Sequence, residues 1–335
     1  MNWVRGEVIG KGSFSSVYLA TPRRDSAETP SLMAVKSVSV SQSSLLQKEK
    51  DILTQFEDCP EILRCFGDDF TVEDGKEVYN ILLEFASRGN LHQLLKKSDM
   101  GLPLSDVRYH TRSILRGLSM IHEKGFVHCD IKLQNILVCG STEVKIADFG
   151  LAKKRNCDFD DGVSGLRGTP LYMSPESVSS NVYETGADIW ALGCVVSELV
   201  TGKPAWRCRS DTDISGLLYR IGFGEELPVI PDELCDDGKD FLIRCFTRDP
   251  MTRWTAEMLL NHPFVTLVDS DASPRSAFDF PEWRSPSLHS RSLTCSEEEW
   301  DCSTSESTVE RIRQLDTGKL QSWSFTSTWI DVRDA

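Results

Sequence analysis

The stretch HCDIKLQNIL, residues 128–137, sets three polar side chains at close spacing in a mostly apolar segment. Asp130 is a carboxylate that can accept or orient the proton of an attacking hydroxyl. Lys132 can neutralise charge on a phosphoryl group in flight, and the carbonyl oxygen of Asn135 suits a magnesium ion. The pattern fits phosphoryl transfer, although this loop on its own could equally be a polar loop that caps a helix.

A second loop adds to the same chemistry. The stretch IADFG, residues 146–150, offers Asp148 as a second magnesium ligand, Phe149 for packing and Gly150 to permit a turn. Two further stretches, IGKGSFSSV and MAVKSV, lie upstream of these loops. Four such stretches in this order along one chain are not expected to arise by chance.

The stretch IGKGSFSSV, residues 9–17, lies between two predicted strands. Gly10 and Gly12 let backbone N–H groups approach a phosphate without an intervening side chain. A glycine-rich hairpin turn is the more common explanation of such a pattern taken alone. Ser15 stands where a third glycine is usual, which stiffens the loop.

The stretch MAVKSV, residues 33–38, carries a lysine inside an apolar strand. Burying Lys36 requires a counter-ion, and the predicted helix over 44–56 offers Glu49. A Lys36–Glu49 pair would hold the ammonium within reach of nucleotide phosphates. An exposed lysine at a sheet edge is the alternative.

Together these motifs resemble those of eukaryotic protein kinases. The matches are G-x-G-x-x-x-x-V at 10–17, A-V-K at 34–36, H-x-D-x-K-x-x-N at 128–135, D-F-G at 148–150 and S-P-E at 174–176. The resemblance covers about residues 3–267 and implies an α+β, two-lobed fold. We expect an N-lobe over 3–86, an antiparallel sheet with one helix, and a mainly helical C-lobe over 87–267.

The resemblance also implies ATP and Mg²⁺ as cofactors and assigns roles to residues. Asp130, Lys132 and Thr169 are expected to be catalytic, and Asn135 and Asp148 to bind metal. Nucleotide contacts are expected from Ile9, Gly10, Lys11, Gly12, Ser13, Phe14, Ser15, Ser16, Val17, Ala34, Lys36, Glu49, Glu84, Ala86 and Leu137, with Leu83 as gatekeeper. By the same resemblance, Asp188 braces the catalytic loop, and Glu176 pairs with Arg253.

Two features indicate serine and threonine, rather than tyrosine, as acceptors. Lys132 follows the catalytic aspartate by two residues, and Thr169 lies in the substrate-facing loop GTPLYMSPE. Asn90 and Gln134 stand where arginine-directed kinases carry acidic residues, so recognition is expected to rely on docking. The motifs resemble the plant MEKK-like MAP kinase kinase kinases, which implies MAP kinase kinases as substrates. The alternatives are a Ser/Thr kinase outside these cascades and a pseudokinase scaffold.

Cys129 replaces the arginine that precedes the catalytic aspartate in most kinases activated by loop phosphorylation. A neutral thiol cannot form an ion pair with a phosphate on the activation loop, so we hypothesise an enzyme that is active without loop phosphorylation. In the alternative, another basic residue such as Lys153 or Arg167 takes over this role. Under either hypothesis, Ser164 and Thr169 are the obvious phosphate acceptors in the loop. A redox role is disfavoured, because Asp130 next to it opposes a thiolate.

Composition limits the partners and the compartment. A formal net charge of −14 over 335 residues argues against a general nucleic-acid or anionic-membrane binder. No apolar run is long enough to span a bilayer, and IWALGCVVSELV, residues 189–200, is expected to be a buried core helix. The 11 cysteines include no CxxC pair, which favours a reducing compartment. We expect a cytoplasmic protein, with the nucleus as a second location.

The last segment, 268–335, is an acidic tail rich in serine and threonine. It holds Trp283, Trp300, Trp323 and Trp329. The stretch WSFTSTW suggests a docking peptide for upstream regulators, with disorder or packing onto the C-lobe as the alternatives. Ser273 and Ser285 precede prolines and could accept feedback phosphorylation from a MAP kinase.

Overall fold

Strands occupy the first part of the chain and helices most of the rest. The computed structural model describes residues 3–12, 15–23, 30–98, 100–140, 143–155, 165–207 and 214–266. The strands are β1 Trp3–Lys11, β2 Ser16–Pro22, β3 Met33–Ser39, β4 Cys65–Glu73, β5 Lys76–Glu84, β6 Phe126–Val127, β7 Ile136–Cys139, β8 Glu143–Ile146 and β9 Lys153–Lys154. The helices are α1 Ser44–Leu53, α2 Leu91–Lys96, α3 Leu104–Glu123, α4 Pro175–Ser180, α5 Thr185–Thr201, α6 Ile214–Phe223, α7 Asp236–Cys245, α8 Ala256–Leu260 and α9 Pro263–Thr266.

The first five strands form one antiparallel sheet in the order β1-β2-β3-β5-β4. The middle strand, β3, is buried along its first six residues because its side chains are covered on both faces. Helix α1 packs on this sheet, and its buried residues include Glu49 between Leu46 and Ile52. The predicted helix over 44–56 is interrupted: α1 ends at Leu53 and one turn of 3-10 helix follows.

The helical part is organised around α5. Every residue from Ala187 to Leu199 in this helix is buried, which confirms the predicted core helix. Gly193 allows the close approach of a neighbour, because a Cβ there would lie 2.7 Å from the ring of Phe246. In the described part of the chain no helix is both long enough and apolar enough to cross a bilayer.

Two short antiparallel strand pairs, β6 with β9 and β7 with β8, bring the predicted catalytic loops together. Strand β6 leads directly into His128, and β7 starts at Ile136. Strand β7 pairs antiparallel with β8, so that Ile136 faces Ile146, the last residue before the second loop. The loops 128–135 and 147–151 therefore begin and end at the same edge.

These elements confirm the α+β, two-lobed class. The predicted lobe boundary at 86/87 falls in the connection between β5, which ends at Glu84, and α2, which begins at Leu91. The predicted tail, 268–335, with its tryptophans, Ser273 and Ser285, lies outside the described residues. Its boundary and role stay predictions.

Candidate active site

Asp130, Lys132 and Thr169 form one hydrogen-bonded cluster. The Thr169 hydroxyl donates to Asp130 Oδ1 at 2.8 Å and accepts from Lys132 Nζ at 2.9 Å. Lys132 Nζ also lies 2.9 Å from Asp130 Oδ2. The carboxylate and the ammonium are both buried, so the attraction between them is strong and their positions are restricted. The cluster holds a carboxylate ready to orient a hydroxyl beside a fixed positive charge.

Lys36 lies between two carboxylates. Its Nζ donates to Glu49 Oε2 at 2.6 Å and to Asp148 Oδ1 at 2.9 Å, so β3, α1 and the loop after β8 meet at one ammonium. The predicted Lys36–Glu49 pair is present, and the exposed-edge alternative for Lys36 is wrong, because its side chain is buried.

Burial changes the acid–base behaviour of this cluster. Desolvation by itself lowers the pKa of Lys36, but Asp148 and Glu49 together raise it above its usual value, so the ammonium stays charged. Desolvation raises the pKa of Glu49 to about 7, against the opposing effect of Lys36 and with a further increase from Asp148. Two carboxylates therefore share one buried cation.

The two expected metal ligands are adjacent. The backbone N–H of Ala147 donates to the carbonyl of Asn135 at 2.9 Å, which ties the catalytic loop to the residue before Asp148. The Asn135 amide nitrogen donates to the Asp130 carboxylate at 2.9 Å. Its Oδ1 is buried without a hydrogen-bond partner, an arrangement that is costly unless a cation or water binds there. A hard divalent cation fits this oxygen together with the Asp148 carboxylate.

The turn after Asp148 is made differently from the prediction. The left-handed residue is Asp148 itself, with φ 65° and ψ 72°, whereas Gly150 has no positive φ. A Cβ on Gly150 would lie 3.5 Å from Asp148 Oδ1, which is an ordinary contact. The expectation that Gly150 permits the turn is wrong, and the conformational cost falls on the aspartate.

The expected nucleotide contacts that are described lie mainly on the strands β1, β2, β3 and β7. Gly10 and Lys11 pair with Val17 and Ser16 across the β1–β2 hairpin, and Gly12 N–H donates to the Ser15 carbonyl at 2.7 Å. Residues 13 and 14, Ser13 and Phe14, lie outside the described residues. The hydrophobic members Ile9, Val17, Ala34 and Leu137 pack with the central core. Leu83, the expected gatekeeper, faces Ala34 across β3 and β5.

The connection between β5 and α2 is held by a bond to β8 and by a bond within itself. The Glu84 carboxylate accepts from Lys145 Nζ at 2.8 Å, and Gly89 N–H donates to the Ala86 carbonyl at 3.3 Å. Asn90 caps α2. Its side-chain oxygen accepts a hydrogen bond from Gln93 N–H at 2.9 Å, and the Gln93 side-chain oxygen accepts one from Asn90 N–H. At this position the chain thus carries a helix cap instead of an acidic substrate contact.

Asp188 on α5 holds the backbone of the catalytic loop through two hydrogen bonds. Its Oδ1 accepts from Cys129 N–H and its Oδ2 from His128 N–H, each at 2.9 Å. Cys129 adopts φ 67°, a conformation that is costly for a residue other than glycine unless its surroundings stabilise it. Gly168 makes room for the loop, because a Cβ there would lie 2.4 Å from the Cys129 carbonyl. The carboxylate of Asp188 thus stabilises an unfavourable backbone conformation next to Asp130.

The Cys129 thiol is partly buried in this arrangement. Burial and then Asp188 raise its pKa well above the usual value, while Arg167 and Lys153 oppose the shift. The thiol form is therefore favoured at neutral pH, as predicted from the sequence, but Asp130, the carboxylate named in that prediction, contributes less than burial and Asp188. Lys153 and Arg167, the basic residues named there as alternatives, both act electrostatically on this position.

Two contacts fasten the substrate-facing segment to the helices below. Arg253 and Glu176 form a two-pronged ion pair, with nitrogen–oxygen distances of 2.6 and 2.9 Å. The Tyr172 hydroxyl donates to the buried Glu198 carboxylate at 2.5 Å. Because Tyr172 follows Thr169 closely, these bonds restrain the residue that touches Asp130.

Comparison with known proteins agrees with this geometry. The family model of the protein kinase domain matches residues 3–265. Mitogen-activated protein kinase kinase kinase 20 of Arabidopsis thaliana is 48% identical, over 99% of this chain and 100% of the relative. The chain belongs to the protein kinase family, among the mitogen-activated protein kinase kinase kinases. It is an ATP-dependent serine/threonine kinase, and the predicted activity is confirmed.

Other Arabidopsis relatives of this kinase are less similar. Mitogen-activated protein kinase kinase kinases 17 and 18 are each 39% identical, over 85% of this chain and 78% and 86% of the relatives. In each case the match extends well beyond the catalytic motifs.

Two histidines that support the site were not predicted. His122 Nε2, at the end of α3, lies 2.9 Å from Asp188 Oδ2. His128 Nδ1 accepts from Asp130 N–H at 3.2 Å, so its proton is on Nε2, which bonds the Ala147 carbonyl at 3.1 Å. The His128 ring also packs on Phe149, with centroids 4.8 Å apart. In the sequence, only the histidine of the H-x-D motif, His128, indicated that a histidine would support the site.

Proposed function

We propose that this kinase transfers the γ-phosphoryl group of ATP, with Mg²⁺, to serine and threonine in the activation loop of MAP kinase kinases. The observation that carries the proposal is the joint presence of the Asp130–Lys132–Thr169 cluster and the Lys36–Glu49–Asp148 cluster. The similarity to named MAP kinase kinase kinases supports the substrate class. Each step of the mechanism has a residue in a suitable place.

The acceptor hydroxyl is activated by Asp130. In our mechanism, the hydroxyl of the protein substrate approaches the carboxylate that Thr169 and Lys132 hold at 2.8 and 2.9 Å. Asp130 orients this hydroxyl and accepts its proton as the bond to phosphorus forms. Lys132 neutralises negative charge on the transferred group, because it is buried within reach of the same carboxylate.

Lys36 positions the nucleotide. Its ammonium stays protonated between Glu49 and Asp148, where it would contact the phosphates of bound ATP. Asn135 Oδ1 and the Asp148 carboxylate would hold magnesium, which supplies positive charge to the phosphate oxygens when it is bound. The orphaned, buried Oδ1 of Asn135 supports this assignment, because no described protein group satisfies it.

Purified enzyme, ATP and magnesium should phosphorylate a catalytically inactive MAP kinase kinase on serine or threonine of its activation loop. Mass spectrometry locates the sites, and a generic basic protein serves as the comparison substrate. Asp130→Ala should lower the rate by about 100-fold or more, since it removes the proton acceptor. Equal rates on both substrates would place this kinase outside MAP kinase cascades. An unchanged rate for Asp130→Ala would refute the catalytic assignment.

We also propose how this kinase is regulated and where it is located. We infer basal activity from Cys129, upstream partners that bind through the 268–335 tail, and a cytoplasmic location extending to the nucleus. The neutral side chain before Asp130 supports the first. The acidic, tryptophan-containing composition of the tail supports the second, and the scattered cysteines support a reducing compartment.

A further inference from the structure

Arg5, on the first strand, makes a network of bonds unlike that of an ordinary surface arginine. Its Nε and Nη2 donate to Glu73 Oε1 at 3.1 and 2.5 Å. Nη1 donates to Ser37 Oγ at 2.8 Å, and Nη2 also donates to Asn80 Oδ1 at 2.8 Å. Only 17% of the Arg5 side chain is exposed. A planar, charged group held by four hydrogen bonds has little freedom to move.

This one guanidinium contacts side chains from the other four strands of the N-lobe sheet. Ser37 belongs to β3, Asn80 to β5 and Glu73 to β4. The Arg5 guanidinium carbon lies 4.3 Å from the centroid of the Tyr18 ring on β2. Arg5 therefore links the two edge strands, β1 and β4, through the face of the sheet that they share.

The acceptor at the centre of the network is fully used. Asn80 is completely buried, and its Oδ1 accepts from Arg5 and from the Ser37 hydroxyl, the latter at 2.7 Å. Its amide nitrogen donates to Thr71 Oγ1 at 3.0 Å. Because buried polar groups that lose a partner are costly, a change at Arg5 displaces its neighbours rather than leaving the network intact.

The network lies directly behind the residue that binds the phosphates. Ser37 follows Lys36 on β3, and alternate residues of a strand point to opposite faces. Lys36 thus extends toward Glu49 and Asp148 while the hydroxyl of the next residue is held by Arg5. Fixing Ser37 fixes the strand position from which the ammonium projects.

The network also fixes the base of the hairpin that covers the nucleotide. Trp3, Val4 and Arg5 pair regularly with Pro22, Thr21 and Ala20. Between Arg5 and Gly10 the pairing contains two register shifts, so the hairpin is irregular on its way to the glycine-rich turn. The position of Gly10 and Lys11 therefore depends on how firmly the base of the hairpin is held.

We propose that Arg5 is a positioning residue for ATP. By joining the base of the β1–β2 hairpin to Ser37, it sets the described hairpin residues Gly10 and Lys11 in register with Lys36 before the nucleotide binds. Loss of this link lowers the fraction of molecules that are competent to bind ATP, which weakens apparent affinity without changing the chemical step.

Variants at Arg5 and Glu73 test this role with full-length protein. The measurements are KM for ATP, kcat at saturating ATP with a generic protein substrate, ATP affinity by calorimetry, and the melting temperature. Arg5→Met should raise KM and the dissociation constant for ATP about fivefold, with kcat within about twofold of the parent. Arg5→Lys should give an intermediate value, because an ammonium lacks the planar fork.

A matched control is Arg220→Met on α6, where Arg220 pairs with Glu226 at 2.7 Å away from the N-lobe sheet. It should leave KM for ATP unchanged. If Arg5→Met does not fold, Glu73→Gln keeps the shape, removes the charge and should raise KM for ATP by a smaller factor. A lower melting temperature with unchanged KM for ATP in Arg5→Lys and Glu73→Gln would overturn the proposal, as would a fall in kcat alone.

Discussion

The pairs Lys36–Glu49 and Arg253–Glu176 are both buried and share a shortest nitrogen–oxygen distance of 2.6 Å, but their surroundings differ. Arg253 has a partner for each of its five N–H groups. Two bonds go to Glu176, and three go to backbone carbonyls, at distances of 2.7 to 3.1 Å. The guanidinium also lies over the ring of Trp190. Lys36 instead is shared between two carboxylates, and one of them, Glu49, has its pKa raised to about 7.

The difference separates a structural ion pair from a functional one. The Arg253 site is complete without a ligand, so it stabilises one arrangement of the substrate-facing segment. The Lys36 site has one positive charge for two carboxylates, and it leaves the neighbouring Asn135 Oδ1 unsatisfied. An unsatisfied buried oxygen together with the Asp148 carboxylate favours a cation, and the ammonium of Lys36 favours phosphate.

The largest effect should come from Lys36→Met. We expect kcat/KM to fall by about 100- to 1,000-fold, because the variant removes a charge that stabilises the transferred phosphate. Stability should change little, since Glu49 can take up a proton near neutral pH once its partner is gone. Steady-state kinetics and thermal melting check both parts. Lys50→Met on α1, the helix that carries Glu49, is the control, and an equal loss of activity in that variant would contradict the assignment.

Arg253→Met should act on folding instead. Removing the guanidinium leaves Glu176 and three carbonyls without their donor in a buried site, at a cost of about 3–5 kcal/mol. Urea unfolding measures this loss. Activity per folded molecule should fall much less than in Lys36→Met. A stable but inactive Arg253→Met protein would break the distinction between the two pairs.

The pH dependence of stability should separate the pairs further. Burial raises the pKa of Glu49 from 4.5 to about 7, so between these values the folded protein holds a proton that the unfolded chain has released. This contribution is complete below pH 4.5 and is lost as pH rises through about 7, by up to about 3 kcal/mol.

Urea unfolding of the parent and of Glu49→Gln at about pH 5 and about pH 8 tests the sign. The parent should lose stability relative to Glu49→Gln as pH rises. Identical pH slopes in the two proteins would show that Glu49 titrates at its ordinary value.

The smallest effect should come from Ser164→Ala, a position outside the described residues. The catalytic loop next to Asp130 is held by Asp188 through Cys129 and His128, so charges already in the fold maintain it. Activity should therefore stay within about threefold of the parent. A larger loss of activity, measured against enzyme from which phosphate has been removed, would show that Lys153 or Arg167 forms an ion pair with a phosphate on the loop.

Much of the site was predictable because its chemistry needs particular side chains at short spacing. Asp130, Lys132 and Asn135 lie within one loop, and local geometry keeps them together in any fold that preserves the loop. The Lys36–Glu49 pair was also predictable, since a buried lysine demands a carboxylate and a nearby helix offered one. The order of strands then helices followed from periodicity.

Other features could not be read from the sequence because they depend on contacts between distant segments. His122 bonds Asp188 across 66 positions, and Arg5 bonds Asn80 across 75. Gly150 was wrongly given the strained turn, since the left-handed residue depends on how β8 leaves its hairpin, which placed Asp148 there.

The sequence by itself determined the reaction class, the acceptor type and the residues that carry charge, because catalysis restricts residue identity at each position. Tertiary structure alone decided which charges are shared and which are fully paired. Lys36 and Arg253 look alike as isolated basic residues, and only burial and the number of oxygens around each cation make one a ligand site and the other a brace. Desolvation and partner geometry act through space, so they become defined only when the chain has folded.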